Sequence, residues 1–154
     1  MSAPRHLRAP AAAGLVTLAV LAAFGGQASA AAPSCGSTSA ESQNGNQLYV
    51  AGTGPSCLRR AFGSCRAAGL SVSEHGVDTQ LTLSFTVGRK LGACRVFVAG
   101  SNTVFFGSKT RKTTWSATCT AVTKRTEGVV LGGCGGGDYL LSPPGAPEVP
   151  NNRI

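Results

Sequence analysis

The sequence predicts a mainly β fold: an antiparallel meander, closing as a small sandwich or barrel, with one short N-terminal helix and disulfide staples. Three observations carry this. Residues 77–87 alternate apolar and polar with a period of two. One segment, 57–68, has helical spacing instead. All six cysteines lie beyond residue 30, after a stretch that reads as an export signal.

Arg5 and Arg8 precede an apolar run, Gly14 to Phe24, and Ala28-Ser29-Ala30 completes a small-x-small cleavage pattern. The run is too short to span a bilayer comfortably, so residues 1–30 are expected to be a signal peptide and the protein to be secreted. No transmembrane segment is expected once it is removed. Residues 31–154 suffice for one domain with a modest core. Within them, 31–46 reads as an extended polar entry and 47–141 as a single disulfide-stabilised β domain. Residues 142–154, "SPPGAPEVPNNRI", read as a Pro-rich flexible tail.

An even count of cysteines in an exported chain predicts three disulfides among Cys35, Cys57, Cys65, Cys94, Cys119 and Cys134. The shortest spacing, Cys57 to Cys65, is wide for a pair of zinc ligands, and His75 is the sole histidine beyond the leader. Neither a metal nor a cofactor is expected.

Taken in order, Gln47–Ala51 is a short strand. Cys57, Leu58, Ala61, Phe62, Cys65 and Ala68 then share a helical face, with Ser56 as N-cap and Gly69 as stop. On such a helix Cys57 and Cys65 stand about 12 Å apart, too far to bond each other. Next, Val77, Leu81, Leu83, Phe85 and Val87 form the apolar face of a half-buried strand. A loop over 89–92 would pair Val87 with Cys94, Phe85 with Val96 and Leu83 with Val98, keeping Arg95 out of the core. Gly100-Ser101-Asn102 reads as a tight turn. A further loop over 109–112 would set Phe106 opposite Trp115 as a buried aromatic pair. After a turn over 124–127, Val130 and Cys134 come to the inner face, and a bulge at Gly132–Gly133 would let Cys119 bond Cys134.

Alternate turns of a meander lie at the same end. This topology therefore gathers Arg89, Lys90, Lys109, Arg111 and Lys112 at one tip with no acid in either loop. The cations beyond the leader number 12 against six acids. An anionic polymer or surface is the partner this tip suggests, with a secreted or cell-surface protein as the other candidate. Sequence-specific nucleic-acid reading is not expected, because the aromatics are assigned to the core. Phe97 and Phe105 fall together on the outer side as an apolar patch, either a glycan or partner site or a surface covered by Leu58 and Phe62. The glycine run 132–137 lacks the Lys-Ser/Thr ending of a phosphate loop.

For catalysis the sequence offers only Glu74 and His75, neighbours that point to opposite faces of a strand. The expected function is a secreted, non-catalytic binding or effector domain, hydrolase inhibitor-like or antimicrobial-like. The alternative is a small secreted hydrolase, such as a ribonuclease, using His75.

Overall fold

A computed structural model describes residues 33–43, 46–150 and 154; the expected signal peptide lies outside them. Among these residues nine strands form, interrupted once by a helix. In chain order these are β1 (Ser34–Gln43), β2 (Gln47–Val50), α1 (Gly54–Gly63), β3 (Ala68–His75), β4 (Thr79–Lys90) and β5 (Ala93–Phe106). There follow β6 (Lys109–Cys119), β7 (Ala121–Lys124), β8 (Val129–Gly132) and β9 (Tyr139–Ser142).

The fold is mainly β, but the expected single meander is divided in two. The sheet runs β6-β5-β4-β3-β1-β2-β9-β8-β7. The blocks β3–β6 and β7–β9 are antiparallel meanders, while β1 pairs with β3, and β2 with β9, in parallel. The polar entry segment thus sits mid-sheet. Among the side chains described in this strand only Ala40 is buried, so backbone pairing places it rather than an apolar face.

The sheet curls into a half-barrel. Its two edges, β6 and β7, are separated in sequence by Thr120 alone, whose N–H donates to the Gly132 carbonyl at 2.9 Å. The expected Cys119–Cys134 disulfide ties the end of β6 to the residues just after β8, the strand paired with β7. Gly133, at φ 66°, makes the reversal, and its N–H donates to the Asp138 carboxylate at 2.8 Å. Inside, Leu70, Leu83, Phe85, Val96 and Val98 pack in one core with Leu48, Leu131 and Leu141. Phe85 meets Tyr139 edge-on, with centroids 5.7 Å apart.

The helix begins and ends earlier than expected, and two strands precede it. Pro55 suits the first turn, and the chain leaves the helix at Ser64 and Cys65, the latter at φ 47°. Ala68 and Gly69 pair with β4 instead of extending it. Leu58 is buried in the barrel core, with Ala61 and Phe62 packed against it. The helix therefore fills the inside of the barrel and does not cover the outer phenylalanines.

Two register findings matter for the site. The β4–β5 turn is only Leu91–Gly92, both with positive φ, so Val87 pairs with Val96, Phe85 with Val98 and Leu83 with Gly100. This is two residues from the expected pairing. An even slip preserves the faces, and Phe85, Val87, Val96 and Val98 are buried as expected. The second finding overturns an expectation. Gly100-Ser101-Asn102 is no turn, because β5 continues through it for 14 residues, paired on both sides. Its glycine is there for space. A side chain at Gly100 would overlap the indole of Trp115, its partner on β6. Trp115 consequently faces Gly100, not Phe106, and both aromatics are exposed.

The tail also departs from expectation. Ser142 belongs to β9, and the Gln47 side chain reaches beyond it: its amide donates to Ser142 Oγ and to the Pro147 carbonyl, both at 3.1 Å. Its carbonyl accepts from Val149 N–H at 2.8 Å. Of the three expected disulfides, Cys35–Cys57 and Cys119–Cys134 are formed, while Cys65 and Cys94 carry thiols.

Candidate functional site

The absence of a turn at 100–102 reverses the end of the sheet at which the last hairpin turns. Arg89 and Lys90 close β4 beside Leu91, at one end of β5. Lys109, Arg111 and Lys112 follow the turn at its other end. At a rise of roughly 3.3 Å per residue, the intervening strand runs on the order of 40 Å. The five cations are therefore not one tip but two separate groups, and neither group lies in a loop.

The same continuity separates Phe97 from Phe105. They lie on one face of one strand, eight positions apart, or about 26 Å along it. Phe97 is half-buried against Gly88, where a side chain would crowd its ring. No common patch forms.

What replaces the expected tip is the end built by the β3–β4 and β5–β6 turns. In the first, Gly76 N–H donates to the Thr79 carbonyl at 2.8 Å. In the second, Gly107 at φ 58° lets the chain reverse between Phe106 and Lys109. Phe105 N–H donates to the Asp78 carbonyl at 2.8 Å and so ties the two turns together. Val77 is 100% exposed there, Phe106 63% and Phe105 40%. Lys109 stands directly across from Phe106, Arg111 across from Val104 and Lys112 across from Thr103. Alternation places Lys109 and Arg111 on the Phe106 face and Lys112 on the Phe105 face. The result is an apolar point collared by cations, with Asp78 as the acid of the adjoining turn. Composition could have shown the cations, but not the company they keep.

Trp115, on the face of Lys109 and Arg111, donates its indole N–H to the Tyr139 hydroxyl at 3.3 Å. With Leu81, Leu83 and Ala117 these two rings line a neutral cleft of about 580 Å³. At the β3–β4 turn, His75 is exposed, and its Nε2 lies 3.3 Å from the Gln80 amide nitrogen. Glu74 pairs across to Leu81 on the opposite face. The side-chain partner the structure gives His75 is an amide, not a carboxylate, so no acid-base pair is assembled from these two residues.

No family model, curated protein or solved structure matches the chain.

Proposed function

We propose that the protein is an exported, non-catalytic binding domain that docks on an anionic lipid surface through the 76–79 and 104–112 end of its sheet. One observation carries this reading: three exposed apolar side chains, Val77, Phe105 and Phe106, sit at the same end as Lys109, Arg111 and Lys112. A soluble polyanion would engage the cations and leave the apolar point in water. A lipid interface takes both, since each cation near an anionic leaflet contributes about 1 kcal/mol and apolar burial adds to it. Two disulfides in the described chain accord with an extracellular setting. No helix among the described residues is long and apolar enough to cross a membrane.

Vesicle sedimentation tests the proposal. The protein should bind vesicles containing an anionic lipid more tightly than purely zwitterionic ones. Losing Lys109, Arg111 and Lys112 together should weaken binding about 100-fold at low salt, from about 3 kcal/mol. Phe106→Ser should weaken attachment that survives added salt. If Phe106→Ser changes nothing while soluble polyphosphate competes fully, the partner is an anionic polymer and the lipid reading fails.

A further inference from the structure

We propose that Cys65 and Cys94 close a third disulfide, which fastens the carboxyl end of α1 to the start of β5. The two residues converge on one atom. The Cys65 backbone N–H donates to the Phe62 carbonyl at 3.0 Å, and the Cys94 thiol donates to the same oxygen at 3.4 Å. The Cys65 side chain is near enough to act on the Cys94 thiol. Cys65 adopts φ 47°, a conformation uncommon outside glycine, directly after the helix cap. That backbone turn is what ends the helix beside the strand. The other four cysteines are already bonded, so no rival thiol competes. Among the described residues no third ligand completes a metal site around the pair.

The chemistry is thiol–disulfide exchange with an oxidised dithiol protein or a small disulfide such as oxidised glutathione. One cysteine thiolate attacks a sulfur of the oxidant, forming a mixed disulfide and releasing a thiolate. The second cysteine thiolate then attacks the protein sulfur of that mixed disulfide and expels the second leaving thiolate. Two thiol protons pass to the two leaving thiolates, and two electrons reduce the oxidant. Burial, and next the contact with Cys65, push the Cys94 thiol up from its ordinary pKa. The step should therefore accelerate as pH rises, because the thiolate is the nucleophile.

The full chain, equilibrated in a reduced and oxidised glutathione buffer, is unfolded, alkylated and cut with trypsin. Cleavage after Arg60, Arg66, Lys90 and Arg95 isolates Cys65 in residues 61–66 and Cys94 in residues 91–95. The expected result is those two peptides joined, no alkylated cysteine, and an intact mass lower by two hydrogens for each of three bonds. Alkylation of both Cys65 and Cys94 with the other two bonds intact would overturn the proposal, as would Cys65 joined to any other cysteine. In Cys65→Ser, Cys94 should become the single alkylatable thiol. Should that variant fail to fold, the peptide map of the unaltered chain decides alone.

Discussion

Gly100 governs where the single tryptophan lies. Its φ is unremarkable for a strand, so what it provides is space: the Trp115 indole rests where a side chain would be. Gly100→Ala should displace the ring toward water, shift its emission to the red and cost about 1–3 kcal/mol by overpacking. Unshifted emission would show that the ring does not lean on Gly100. The exposure of Trp115, 37%, also sets what its loss can cost. Phe85, fully buried and edge-on to Tyr139, should cost about 3–5 kcal/mol on truncation to Ala in a urea titration, and Trp115→Ala distinctly less. Equal costs would contradict the placement of Trp115 at the surface.

At the scale of elements, the β4–β5 hairpin turns on Leu91–Gly92, with φ of 51° and 79°. Asn-Gly is the pair such a two-residue turn favours, and Leu91 is almost wholly exposed, so nothing is lost by replacing it. Leu91→Asn should stabilise the fold by about 0.5–1 kcal/mol, read as a higher urea midpoint. A lower midpoint would mean that Leu91 makes contacts the folded chain does not display. The hairpin also marks how far periodicity reaches. Alternation identified the buried faces of β4 and β5, and a two-residue slip left those faces intact. It did not reveal β1, whose mostly polar residues are held by backbone pairing. It misplaced Val77, which continues the alternation in sequence but lies in the turn before β4. The costliest error was local: Gly-Ser-Asn has turn composition, and only a partner strand shows that the glycine makes room for an indole. One spurious turn moved a group of cations to the wrong end of the sheet.

Over the whole molecule, stability depends on holding a curled sheet shut. The edges meet at Thr120, and the Cys119–Cys134 bond closes a loop of sequence separation 15, worth about 3 kcal/mol by restricting the unfolded chain. Replacing both cysteines by Ser should lower unfolding free energy by about that amount, seen as a lower urea midpoint; an unchanged midpoint would contradict this role. The same curled sheet leaves β5 long enough to carry a separate cationic, apolar point at each end, and the proposed function belongs to only one of them. Two variants make the comparison even. Phe106→Ser with Lys109→Ser and Lys112→Ser removes one exposed apolar side chain and two cations from the β5–β6 end. Leu91→Ser with Arg89→Ser and Lys90→Ser removes the same from the other. The deciding measurement is the partition of each onto vesicles containing an anionic lipid. The first should lose more than tenfold in affinity, from two cations at about 1 kcal/mol each, while the second binds nearly as the unaltered chain. Equal losses would show that net charge, and not this end of the sheet, holds the protein to the surface.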